Sequence, residues 1–479
     1  MTTNPPVLAA FAPFGIDRQV LRKVLAEATA YGADDADLYF EHSVSTAVGL
    51  SDGAVNRAHT HVDVGMGVRV VVGDQVGYAY TEDLSVERLI EAARMARSIA
   101  HGLGAAVPVA VGERVLKLPN RYPVERRWSD VELSVRVPLV RRWEEQAFAR
   151  DPRVRKVQTS IADSDTHVLV ARADGTLAAD DRPMTRAHVS VSAADGSKKE
   201  TGSHNVASRA DLSYYDADRQ ERLVALAVDR AIRALDATVP PAGEMPVVLA
   251  AGSSGILLHE AIGHGMEADF NRKNVSIYAS RMGRSIAPAE VTIVDDGTLP
   301  GARGSLNVDD EGTEAERTVL VEQGVLRSYL HDRISARHYG VAPTGSGRRE
   351  SFRHPVLPRM RSTYMESGPH APDEIIRSVR QGLYCEVFGN GAVQIGAGDF
   401  SFYVRHGALI EDGKITRPVK DVNLIGNGPD VLEAIRMVGN DLAIDEGGWT
   451  CGKDGQGVPV SQGMPTVLVG KLSVGGGER

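Results

Sequence analysis

The sequence predicts an α+β fold in which two N-terminal blocks, each ordered helix, β-meander, helix, precede a β-rich C-terminal domain. Three observations lead there. Apolar residues recur at helical spacing on either side of runs of alternating residues, and Asp-Gly pairs punctuate those runs. Beyond residue 243 the apolar stretches are short and separated by glycine-rich turns, in a chain that holds 49 glycines.

Asp17 is placed to cap a helix whose apolar positions Val20, Leu21, Val24, Leu25 and Ala28 follow the 3.6 period, with Gly32 placed to end it. "ADLYFEHS", "AVGLSDGAVNRA" and "GVRVVVGDQVGYAYT" then read as a meander, the second turning at Asp52-Gly53. A helix follows from about Ser85 to Ala100, with Leu89, Ile90, Ala93 and Ala96 on one face and Gly102 as its stop. The order recurs with a helix near residues 132–149, the runs "RKVQTSIAD", "THVLVARADGTLAAD" and "AHVSVSAADGSKKETG", and a helix near 216–236. Consecutive prolines make "ATVPPAG", residues 237–243, a linker. The division expected is 1–110, 111–242 and 243–479.

A chain of 479 residues with 42% hydrophobic and 24% charged residues has ample core for several globular domains. Its net charge of -9 offers no basic footprint for nucleic acid or an anionic membrane. The N-terminal "MTTNPPVLAAFAPFG" has prolines where a secretory signal would be basic and then apolar, and no uninterrupted apolar run reaches about 18 residues. A cytoplasmic location is the expectation. Only Cys385 and Cys451 are present, which fits a reducing compartment better than a disulfide framework.

The chemistry concentrates in "GILLHEAIGHGMEADF", residues 255–270. His259, Glu260 and His264 read His-Glu-x-x-x-His, one residue longer than the His-Glu-x-x-His motif that sets two zinc-binding imidazoles on one helical face beside a glutamate base. On a regular α-helix, residues five apart differ by about 140° in azimuth, against about 40° for residues four apart. Two imidazoles so spaced do not converge on one ion. Either a π-type turn absorbs the extra residue or the helix ends at Gly263 and His264 projects from the turn, with Gly263 and Gly265 easing the departure. Two satisfied histidines beside an apolar helix, with Glu260 in a salt bridge, is the plainer alternative.

Catalytic zinc commonly takes three protein ligands and leaves a fourth position open. The candidate for the third is Cys451, in the glycine-rich "GGWTCGKDGQGVPV", where a thiolate competes with the reading of a small buried hydrophobe. Tyr329, His331, Arg348 and Arg349 have the chemistry to stabilise an oxyanion, and each has an alternative as a core aromatic or a solvated charge. "PTGSGRRES" lacks the ending of a phosphate-binding loop and reads as a backbone-rich wall.

Taken in order, "HEAIGHGMEADFNR", "RGSLNVDDEGT", "PTGSGRRES", "PRMRSTYM", "MVGNDL" and "CGKDGQGVPV" make the sequence resemble the TldD/PmbA (TldD/TldE) family of zinc metalloproteases, over nearly the whole chain. The resemblance implies His259, His264 and Cys451 as zinc ligands and Glu260 as the catalytic base. It also implies a pair of homologous subunits, with this chain of the TldD type that keeps the metal motif and a PmbA/TldE-type homologue as partner; a homo-oligomer is the other arrangement. The expected activity is hydrolysis of unfolded or flexible peptides. A non-catalytic peptide-binding or partner subunit and a metal-dependent amidase for small molecules are the contrasting readings, separated by whether the metal faces a groove or a closed pocket.

Overall fold

The computed structural model describes residues 7–100 and 114–476. Among these, the first block begins with the helix Arg18–Ala28, whose first turn is capped by the Asp17 carboxylate accepting from the Val20 amide at 2.8 Å. Three antiparallel strands follow, Asp35–Ser51, Ala54–Val72 and Gln75–Thr81, and then the helix Val86–Ala100. The second block repeats the order with the helix Leu133–Arg150, strands Val154–Arg172, Thr176–Asp195 and Lys198–Ser208, and the helix Ala217–Ala234. The Gly102 stop lies outside the described residues.

The two blocks share one sheet. Asp35–Ser51 pairs with Ala54–Val72 on one side and with Val154–Arg172 on the other, giving a seven-stranded sheet once the short strand Arg114–Val115 is included. The segments "ADLYFEHS" and "AVGLS" are thus one strand of 17 residues rather than two. Its polar middle interrupts the apolar alternation but satisfies itself across the sheet, Ser43 Oγ lying 2.9 Å from Thr166 Oγ1 and Thr46 Oγ1 3.1 Å from Thr60 Oγ1. Each pair of helices covers its own stretch of sheet. Leu21, Val24, Leu89 and Ala93 bury Phe40 and Val68, while Trp143, Leu223 and Ala227 bury Val157 and Val189.

Beyond residue 242, five strands close on themselves in the order Gln381–Val393, Gly243–Leu249, Val467–Gly476, Val422–Asn427 and Asp399–Glu411, the last pairing back onto the first. The closed barrel has Phe388, Phe400, Phe402 and Leu424 in its core. A second, six-stranded sheet includes Ile293–Asp296, Ser362–Met365 and Ser461–Met464. The helix bearing the two histidines packs between barrel and second sheet. This bears out the α+β fold with a β-rich C-terminal domain.

Buried ion pairs tie the C-terminal domain to the N-terminal sheet. Arg69 sits between Asp37 and Glu311, Arg182 donates to Asp180 and Asp310, and Arg349 reaches Asp37 and the Asp310 carbonyl. Asp310 and Glu311 of "NVDDEGT" and Arg349 of "GRRES" are therefore engaged across this junction. No helix among the described residues is long and apolar enough to cross a membrane.

Candidate metal centre

The strand Gly243–Leu249 leads through a turn into the short helix Gly255–Leu258. Gly255 lets that helix lie directly on the second sheet, since a Cβ there would meet the Gly463 nitrogen at 2.5 Å. From His259 to Gly263 the helix widens into a π turn, in which the His264 amide donates to the His259 carbonyl five residues back. The extra residue of the motif is absorbed there. The two imidazoles come to the same side, with ring centroids 5.2 Å apart and planes at 83°. Gly263 itself keeps helical dihedrals, φ -56° and ψ -49°, so backbone freedom is not what requires glycine. Space is: a Cβ would lie 1.9 Å from Met360 Sδ.

Cys451 arrives on a hairpin, Thr450–Lys453 paired with Gln456–Pro459, closed by Asp454 and Gly455 at φ 49° and 72°. Strand alternation turns Cys451 and Lys453 inward and leaves Thr450 and Gly452 exposed. One ligand atom from each of His259, His264 and Cys451 lies within 4.8 Å of the others, and all three residues are buried. Cys451 Sγ is 3.4 Å from His264 Nε2, against about 3.6 Å for sulfur and nitrogen sharing a tetrahedral zinc. His259 Nδ1 is buried with no hydrogen-bond partner. The donor set therefore fits a thiophilic divalent cation such as zinc. Glu260 Oε2 lies 3.9 Å from His264 Nε2, and its side chain is 19% exposed, so the carboxylate stands at the open side of the cluster.

Burial pushes the Cys451 thiol up, but the His259 and His264 imidazoles outweigh it and hold its pKa well below the usual thiol value. Burial likewise opposes charge on His264, and Glu267 with Cys451 more than offsets it, raising the imidazole well above its usual range.

The flanking charges are residues that the spacing of the motif did not single out. His264 Nδ1 lies 3.0 Å from Glu267 Oε2, and Lys453 Nζ lies 3.1 Å from that same oxygen and 2.7 Å from Asp269 Oδ1. Although burial works against its charge, Glu267 is held down to about 2 by Lys453, His264 and Arg359. The legible signals were the three-residue offset of Glu267 from His264 on a helical turn and the two-residue offset of Lys453 from Cys451 on a strand.

Of the four residues weighed for an oxyanion, Tyr329 donates to the Tyr278 carbonyl in the core and Arg349 is spent on the domain junction. Arg348 donates to the Met360 and Pro459 carbonyls, bracing the two segments that flank the centre. His331 is buried, with Nδ1 unpartnered and its pKa lowered by burial to about 4. Within "PTGSGRRES", Arg348 and Arg349 thus serve as charged braces.

Three models of one family match the chain: PmbA/TldA metallopeptidase domain 1 at residues 36–100, the central domain at 126–235 and the C-terminal domain at 242–476. The chain belongs to the TldD/PmbA metallopeptidase family. Among its relatives, the metalloprotease TldD homolog of Haemophilus influenzae is 39% identical over 469 residues, spanning 97% of both chains. That of Buchnera aphidicola from Acyrthosiphon pisum is 38% identical over 452 residues, 92% of this chain and 93% of the relative. Two solved structures share the fold. TldE from Thermococcus kodakarensis superposes with a TM-score of 0.74 at 18% identity, covering 96% of this chain and 99% of that one. A putative modulator of DNA gyrase from Thermotoga maritima gives 0.78 at 21% identity, covering 95% and 99%. The family is one of metallopeptidases, and the His, His, Cys cluster lies within the part matched by its C-terminal domain.

Proposed function

We propose that the chain is a zinc-dependent peptidase in which His259, His264 and Cys451 hold the metal and Glu260 is the general base. The observation that carries this reading is the convergence of three buried ligand atoms within 4.8 Å, beside a partly exposed glutamate. When bound, zinc supplies a Lewis acid that polarises the scissile carbonyl and acidifies the attacking water. Glu260 takes the proton from that water and delivers it to the leaving amine nitrogen, so one carboxylate serves as base and then as acid. A thiolate ligand in place of a third imidazole leaves the centre less positive, which moderates its Lewis acidity.

The substrates proposed are unfolded or flexible peptides, and the working enzyme is proposed to pair this chain, as the metal-bearing subunit, with a PmbA/TldE-type homologue in the cytoplasm. A relative carries the name TldD homolog and a structural neighbour the name TldE, which supports that pairing. The division of the chain at about residues 110 and 242 belongs to the same reading.

Metal analysis of the purified protein, alone and with its homologue, beside digestion of an unstructured peptide tests the proposal. One equivalent of zinc and chelator-sensitive cleavage are expected. A protein without metal that cleaves at the same rate would overturn it.

A further inference from the structure

The ligands of the proposed centre come from two arms of the fold that have no sequence proximity, the π turn with His264 and the hairpin with Cys451. Something must fix one arm against the other, because metal sites tolerate only about 0.5 Å of displacement. Beneath the ligands, Glu267 and Lys453 face each other, both buried.

Glu267 is rigidly held. The Leu330 amide donates to the Met266 carbonyl at 2.9 Å and the Ala268 amide to the Leu330 carbonyl at 3.0 Å, so the backbone on both sides of Glu267 is pinned. Asn271 Nδ2 donates to the Glu267 carbonyl at 2.9 Å. Its side chain is thereby presented to His264 Nδ1 at 3.0 Å, which leaves Nε2 facing Cys451. Lys453 shares the inward face of its strand with Cys451 and spans Glu267, Asp269 and the Pro358 carbonyl. Arg359 completes the tie by donating to the Cys451 carbonyl at 2.6 Å, with its Nε 3.8 Å from Glu267 Oε1. His259 has no counterpart, its Nδ1 being buried and unpartnered.

We infer that Glu267 and Lys453 are the positioning pair of the centre: Glu267 selects Nε2 of His264 as the ligand atom and strengthens it as a donor, and Lys453 sets the Cys451 arm in register with it. The inference rests on the metal reading above. A carboxylate that accepts from a ligand histidine orients the ring and raises its basicity, and its loss commonly weakens metal binding by roughly 10- to 100-fold. Here the same carboxylate is also the anchor of the cysteine arm. The two histidines are accordingly unequal, with His264 the better oriented and stronger donor.

Cobalt(II) titration of the full chain tests this, with affinity read by chelator competition and the sulfur arm by the thiolate-to-cobalt charge-transfer band. Glu267→Gln should bind cobalt roughly 10- to 100-fold more weakly than the wild type, and Lys453→Met should weaken binding and also lose charge-transfer intensity at saturation. Wild-type affinity and spectrum in Glu267→Gln and Lys453→Met, each with native near-ultraviolet circular dichroism, would overturn the inference. If either variant fails to fold, histidine nitrogen NMR of the cadmium-loaded wild type decides: a metallated Nε2 and protonated Nδ1 on His264 are expected, and cadmium on Nδ1 overturns it. Absence of any cobalt binding by the wild type would instead remove the metal reading itself.

Discussion

Cys451 Sγ and His264 Nε2 stand 3.4 Å apart although 187 positions separate them in the chain. A fold brings a buried thiol and a buried imidazole to that distance for a hydrogen bond or for a shared ion, and a second buried imidazole, His259, with a ligand atom within 4.8 Å of both favours the ion. Cys451→Ala should lower metal content at least about tenfold by elemental analysis, because two ligands do not hold catalytic zinc. Cys385→Ala is the control, since that thiol lies in a barrel strand and is not one of the clustered ligand atoms, so the stoichiometry should be unchanged. Full zinc in the Cys451 variant would move the third-ligand role elsewhere.

The π turn makes a counter-intuitive prediction. Deleting Ala261 restores the commoner His-Glu-x-x-His spacing, yet it removes the residue that the turn accommodates and shifts His264 against Cys451. Metal content should fall by at least about tenfold. Retained stoichiometry with full activity would show that the turn is incidental. Gly263→Ala tests the same packing more gently: Met360 is fully buried where the new methyl would go, so a loss of about 1–3 kcal/mol in urea unfolding is expected.

Glu41, on the strand Asp35–Ser51, carries a pH signature. Burial, reinforced by the nearby Asp310 and Asp63 and opposed by Tyr39 and Arg182, pushes its carboxyl up from 4.5 to about 7. A carboxyl with a raised folded-state pKa binds more protons folded than unfolded, so its contribution is fully present below about 4.5 and lost as pH rises toward 7. The loss amounts to at most about 3 kcal/mol. Glu41→Gln should therefore gain stability relative to the wild type across that window, read as a widening gap in urea midpoints. Parallel midpoint curves for the two proteins would contradict it.

Much of this was legible in the sequence, for identifiable reasons. Helices announced themselves where one face is apolar and a cap is present, as with Asp17 and the stripe Val20, Leu21, Val24. The spacing of His259 and His264 demanded a break in helical geometry, and a π turn is there. What was not legible depends on contacts distant in sequence. Asp35–Ser51 looked like two strands because Ser43 and Thr46 find their partners only across the sheet. Arg349 could not be told from an active-site cation because Asp37, its counter-charge, lies 312 positions away. The need for Gly263 is a matter of Met360, which a local reading of dihedrals misses.

Glu260 is proposed to move the proton at a centre held by His259, His264 and Cys451. The most direct measurement is zinc content and peptide hydrolysis on one preparation of Glu260→Gln, which keeps the size and shape of the side chain but exchanges a carboxylate oxygen for an NH2 donor and removes its basicity. Wild-type zinc stoichiometry and turnover lowered by at least about 100-fold, the scale of general base catalysis, are expected. Near-normal turnover with zinc bound would contradict it.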